Sequence, residues 1–144
     1  MKKIFLPLLL SISLFGGVCD NFEQNFQDTK DLNKANVHCF LHIMEREMSK
    51  MLPMQLDQYT YITKVYAVDK EVMYEYMVHK ISGVDNLKSL ETEMKKVVTN
   101  SNCTNPDIKF IFPLGASIQH SYFTEDGKFL FRFSVSQKEC AKIK

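Results

Sequence analysis

Between residues 59 and 79 the chain alternates with the two-residue period of a β-hairpin. In "EVMYEYMVH" (71–79), Val72, Tyr74, Tyr76 and Val78 fall on one face and Glu71 and Glu75 on the other. The preceding "YTYITKVYAV" (59–68) is equally rich in Tyr and Val, and Asp69–Lys70 separates the two runs. A lone hairpin is at best marginally stable in water. The segments on either side must therefore cover one of its faces.

Upstream, Val37, Leu41, Met44, Met48 and Met51 recur at helical spacing. Residues 20–52 are expected to form one long helix, weakest before Asp31, which Pro53 stops. Downstream, Ser82, Gly83 and Asp85 are start signals for a second helix. Its apolar stripe is Val84, Leu87, Leu90, Met94, Val97 and Val98, and it should end near 100–102, before the Asn105–Pro106 turn. "DIKFIFPLG" is expected to hold a short helical turn closed by Pro113, Leu114 and Gly115. A second hairpin follows, in which 116–123 and 128–135 flank the tight-turn pair Asp126–Gly127, with Phe129, Phe131, Phe133 and Val135 on one apolar face. The order α-β-β-α-β-β predicts an α+β domain, an antiparallel sheet of about four strands packed against two helices.

The first 19 residues, "MKKIFLPLLLSISLFGGVC", read differently. Two lysines, an apolar run and a pair of small residues make a secretory signal peptide, with cleavage expected near 17–19 and residues 20–144 forming a single domain. The run is shorter than the roughly 20 apolar residues of a spanning helix and breaks at Gly16 and Gly17. A lipidated Cys19 is the other reading of this segment, but "GGV" lacks the leucine and the small residue expected before such a cysteine. Removing the leader leaves about 125 residues, enough for one buried core. Of the 18 Lys and Arg, Lys2 and Lys3 leave with it, so 16 basic side chains face 17 acidic ones. That balance gives no general attraction to nucleic acid or anionic lipid, so no nucleic-acid partner is expected. Membrane association is expected only through a lipid on Cys19 or a retained leader. The expected location is periplasmic or otherwise exported.

Export permits disulfides. Four cysteines, Cys19, Cys39, Cys103 and Cys140, allow three pairings, and none forms a Cys-x-x-Cys pair. Cys103 and Cys140 each lie just past the end of a predicted element, where two backbones can meet without breaking a helix or ladder. Cys19–Cys39 is the second candidate and requires that Cys19 stay with the mature chain.

Few residues suggest chemistry. In "NVHCFLHIMEREM" (36–48), His38 and His42 stand four apart on a helix and Glu45 is a candidate third metal ligand. On a helical wheel they form a flank beside the Val37–Leu41–Met44 stripe, and Cys39 falls on the far side, too far round to join them. That position also argues against Cys39 as a buried apolar filler. His120 shares a strand face with Ile118 and Tyr122 and reads as a histidine satisfied by a neighbour, as does His79 at its strand end. No nucleophile elbow, phosphate loop or paired-carboxylate signature is present, so neither a catalytic residue nor a cofactor is expected. Tyr59, Tyr61, Tyr66, Tyr74 and Tyr76 cluster in the first hairpin. They are candidates for an aromatic partner surface, since Tyr is enriched at interfaces.

The C-terminal half, "NSNCTNPDIKFIFPLGASIQHSYFTEDGKFLFRFSVSQKEC", resembles a pattern in small exported proteins and lipoproteins of Gram-negative bacteria. The pattern is Cys-x-Asn-Pro, a glycine, a Tyr-bearing strand, an Asp-Gly-Lys hairpin and a closing cysteine. "MLPMQLDQYTYITKVYA" resembles the entry to that group's first strand. The resemblance spans about Leu52 to Cys140. It implies a Cys103–Cys140 bridge and an envelope location, and it carries no catalytic residue across. The function expected is that of a non-enzymatic envelope protein acting by protein–protein contact, an accessory, exclusion, immunity or pilotin-like factor whose partner is an envelope or secretion-system protein. The alternative is a metal- or redox-linked envelope protein using His38, His42 and Cys39.

Overall fold

A computed structural model describes residues 17, 19–80 and 86–143. The expected leader lies almost wholly outside these residues, as do the helix-start signals Ser82, Gly83 and Asp85 with Val84.

The expected long helix is instead two. Helix α1 spans Asp20–Asn25, a 3-10 turn spans Thr29–Asp31, and helix α2 spans Val37–Ser49. The chain between them is rich in Asp and Asn, whose short side chains compete with helical hydrogen bonds. Asp28 Oδ1 accepts from the Lys30 amide (3.2 Å), Asn33 Oδ1 from that of Ala35 (2.8 Å) and Asn36 Oδ1 from that of Asn33 (2.7 Å). Because α2 ends at Ser49, Met51 is 55% exposed and leaves the predicted stripe. Val37 and Leu41 are fully buried, with Met44 and Met48 packed beside them.

The sheet runs β1 (Met54–Gln55), β2 (Thr60–Val68), β3 (Glu71–Val78), β4 (Ser117–Thr124) and β5 (Phe129–Val135), in that spatial order. The α+β architecture is as expected. The sheet has a fifth strand, the two-residue β1, and it is not purely antiparallel. Helix α3 (Leu87–Thr104) crosses over between β3 and β4 and returns the chain in the same direction, so that pair is parallel. A 3-10 turn at Lys109–Leu114 closes on Gly115 in the left-handed conformation (φ 89°), and a short helix α4 (Gln137–Cys140) ends the fold. Ser136 and Glu139 form a reciprocal capping box at its start.

Two bulges decide which side chains enter the core. Between Ile62 and Lys64, β2 carries one residue more than β3, so Val65 and Ala67 take the inward positions that strict alternation would give Lys64 and Tyr66. A second register shift sets Phe129 opposite Phe123. Phe129 therefore leaves the apolar row of Phe131, Phe133 and Val135 and is 50% exposed.

The inward row runs across the sheet in register, Val72–Ile118–Val135, Tyr74–His120–Phe133 and Tyr76–Tyr122–Phe131. It forms one core with Val37 and Leu41 of α2 and with Leu87, Leu90, Met94 and Val98 of α3. The opposite row pairs its own polar groups. Glu75 takes Lys64 at 3.1 Å, and Arg132 Nε donates to Ser121 Oγ at 3.0 Å.

Two disulfides join elements distant in sequence. Cys103–Cys140 ties the end of α3 to α4, and Cys19–Cys39 ties the start of α1 to α2. α1 also docks through rings, Phe22 on Phe26, Phe26 on Phe40 and Phe40 on Phe110, with centroids 5.1, 5.6 and 5.4 Å apart.

Candidate functional site

Among the described residues, an apolar concavity lies at one end of the sheet, on its helix-covered side. It is a groove of about 460 Å³. Val78, Tyr122 and Phe131 line it from the sheet, and Leu90 and Met94 from α3. Asp57, Tyr59, His79 and Lys80 form its polar rim.

Local chemistry holds each rim group in place. The Asp57 carboxylate accepts the amides of Tyr59 (2.8 Å) and Thr60 (2.9 Å), which fixes the entry to β2 and lowers its pKa. The same turn presents Tyr59 outward, 43% exposed. His79 sits at the end of β3, where its amide donates to Tyr59 O (2.7 Å) and its Nδ1 meets the Glu125 carboxylate from the β4–β5 turn. The amide of Lys80, a residue with φ of 58°, donates to the same carboxylate at 3.2 Å. Three separate chain segments are thereby latched at one mouth.

The floor continues into an aromatic ladder. Tyr122 stacks on Tyr76 with centroids 4.6 Å apart, and Tyr76 stacks on His120 at 5.7 Å. His120 is 3% exposed and bonded on both sides. Asn102 Nδ2, from α3, donates to Nε2 at 2.9 Å, which leaves the ring proton on Nδ1 for Tyr76 Oη at 2.8 Å. Burial drives the His120 pKa down to about 4, and it raises the Tyr76 and Tyr122 hydroxyls well above their usual range. A neutral imidazole with both nitrogens occupied holds α3 to the sheet and has no free nitrogen for substrate.

The sequence-predicted sites are only partly assembled. His42 Nδ1 approaches Glu45 Oε2 at 3.3 Å, but His38 is not brought to that pair. His38 turns the other way, with Nε2 3.3 Å from Cys39 Sγ. Among the described residues, the three that come together as potential ligands are Cys19, His38 and Cys39. Cys39 is 3% exposed, which departs from its expected place away from the core, because α1 and the disulfide cover that side of α2. The five tyrosines do not make one surface. Tyr74 and Tyr76 are core residues, Tyr61 and Tyr66 lie on the opposite sheet face, and Tyr59 alone reaches the groove.

Sequence reasoning missed Asp57, Leu90, Met94, Tyr122 and Phe131 as groove residues and Asn102 as the partner of His120. Leu90 and Met94 carry the signal of any core stripe. Asn102 is a polar residue near the end of an amphipathic helix, one place before a bridged cysteine, and nothing local announces its partner.

No family model and no curated protein matches the chain. Solved structures do. A Pseudomonas aeruginosa protein predicted to be secreted superposes with a TM-score of 0.64 at 14% identity, over 80% of this chain and 99% of that one. EpsS, a pilotin from the Vibrio vulnificus type 2 secretion system, gives 0.63 at 9% identity, over 74% and 94%. AspS, a type II secretion system pilotin from Vibrio cholerae, gives 0.60 at 19% identity, also over 74% and 94%. The chain shares its fold with two pilotins. The likeness covers nearly the whole length of each neighbour, and at these identities it is one of fold and not of individual site residues.

Proposed function

We propose that the chain is an exported, non-enzymatic envelope protein of pilotin type, which binds an apolar helical segment of a secretion-system partner in the groove between α3 and the sheet. The observation that carries this reading is the groove itself. It is an apolar floor of Val78, Leu90, Met94, Tyr122 and Phe131, bounded at its mouth by fixed charged groups. A helix lays one side-chain stripe into such a trough, and polar rim groups set its direction. The buried histidine, with both nitrogens bonded, and the lack of any sequence motif for a nucleophile support action by contact. The two disulfides fit a chain that matures in an oxidising compartment, and the fold shared with EpsS and AspS supports the partner class.

The test is site-specific photo-crosslinking in envelope membranes. A photoreactive residue at Met94, half-buried in the groove, should capture a secretion-system component, with the crosslink mapping to an amphipathic helical stretch. One at Val97, 60% exposed and outside the groove, should not. Equal capture from both positions, or none from Met94, refutes the groove as the contact surface.

A further inference from the structure

His38, Cys39 and Cys19 form a juxtaposition that the groove does not use. Adjacent residues on a helix diverge by about 100°, so His38 and Cys39 would not ordinarily share a site. Here the His38 ring folds toward its neighbour, Nε2 standing 3.3 Å from Cys39 Sγ, while α1 delivers Cys19 from the other side. The Sγ atoms of both cysteines and a ring nitrogen of His38 all lie within 4.8 Å of one another. Cys103 and Cys140 gather no such third ligand among the described residues. Two thiolates and an imidazole, with a fourth position left to water, are a known zinc donor set, and soft sulfur ligands favour zinc over the hard cations.

We propose that reduction of the Cys19–Cys39 disulfide converts this corner into a zinc site with Cys19 and Cys39 as thiolate ligands and His38 as the imidazole ligand. The reductant is a dithiol. Its two sulfurs are oxidised to their own disulfide, and the two electrons and two protons it gives up convert the Cys19–Cys39 bond to two thiols. Zn²⁺ then displaces those two protons, and His38 donates the lone pair of Nε2. The two Cα atoms stand 5.3 Å apart, so both sulfurs start beside one another and beside the His38 ring. The metal would take over the disulfide's role of holding α1 on α2. This site is independent of the groove and of any partner bound there.

The experiment uses the whole mature protein, reduced with a dithiol that is then removed anaerobically, and titrated with Co²⁺ as the optical probe for zinc. Bound cobalt should reach one per chain and show thiolate-to-cobalt charge-transfer absorbance, which stoichiometric Zn²⁺ abolishes. The double variant C19S/C39S, reduced in the same way, retains Cys103 and Cys140 and should show no such band. H38A should keep the band with at least ~10-fold weaker affinity. No band in reduced wild type, or an equal band in C19S/C39S, overturns the proposal. So does an unchanged affinity in H38A. If the reduced chain is unfolded by circular dichroism, Zn²⁺ should restore its helical signal, because metal binding is coupled to folding. Failure to restore it also overturns the proposal.

Discussion

The buried His120 makes stability depend on pH on the acid side of neutrality. In the folded protein the ring is neutral, stacked among Tyr74, Tyr76 and Phe133, and its pKa is about 4. In the unfolded chain it titrates near 6.5. The unfolded state therefore takes up the proton first as pH falls. The contribution of the neutral ring is complete above about pH 6.5, declines by about 1.4 kcal/mol per pH unit below it, and is spent near pH 4. Structure explains the sign. A protonated ring would turn Nε2 into a donor facing the Asn102 amide nitrogen, and it would place a charge among three aromatic rings. Between pH 7.5 and 4.5 the expected loss is about 2.5 kcal/mol. Urea unfolding at the two pH values measures it in wild type and in His120→Gln. The variant loses stability at both pH values, because Tyr76 and Asn102 lose partners, but it should lose this pH-dependent part. Subtracting one pH difference from the other removes the carboxylates and the other three histidines, which are common to both. An NMR titration reads the same quantity directly, with the His120 ring unchanged down to about pH 5. If wild type and His120→Gln weaken equally between the two pH values, the assignment of His120 as a neutral strut is wrong.

Replacing Cys103 and Cys140 together by serine should cost about 4 kcal/mol, the loop-closure value for a sequence separation of 37, read as a lower urea midpoint under oxidising conditions. Gly115→Ala should cost about 1–2 kcal/mol from backbone strain alone, since the added Cβ meets nothing closer than Lys70 Cδ at 3.9 Å while φ stays at 89°. A melting shift well beyond that would mean the turn at Lys109–Leu114 collapses with it. Ser136→Ala removes one half of the α4 capping box and should lower stability by about 1 kcal/mol in the same assay.

Much of the fold is legible in the sequence because its periodicities are clean. Val72, Tyr74, Tyr76 and Val78 read as one strand face, and the structure places them on one face. The departures have local causes of two kinds. In 26–36, helical propensity loses to Asp and Asn side chains that bond their own backbone, a competition hydrophobic spacing does not register. In 60–68 and at Phe129, a bulge changes the inward set midway along a strand. "TYITKVYAV" shows two alternations, Thr60–Ile62 and Val65–Ala67, that are out of phase by one residue. The phase slip was visible in the residues, but only pairing with a regular β3 makes a bulge its solution. The parallel β3–β4 pair follows from the same limit. The length of 87–104 permits either direction of return, and the choice rests on contacts between residues far apart in sequence.

The groove was less legible than the fold, for a reason that bears on its use. Each floor residue has the identity and spacing of a core residue: Leu90 and Met94 continue the stripe of α3, and Tyr122 and Phe131 continue the inward rows of β4 and β5. What separates core from groove is whether another element arrives to cover them, and that depends on how α3 is held against the sheet. Two constraints hold the far end of the helix. Asn102 is bonded to His120 and Cys103 is bridged to Cys140, so the last turn of α3 is held to the sheet and to α4. The first half of α3, with Leu90 and Met94, carries neither tie and stands at the open trough. A helix tied down at one end and apolar but incompletely covered at the other is an arrangement that a partner's side chains can complete. Asn102→Leu isolates the point. It breaks the strut without touching the groove lining, so capture through a photoreactive Met94 should fall severalfold while Cys103–Cys140 stays formed. Undiminished capture would show that the groove is shaped by its own lining and owes nothing to the His120 network.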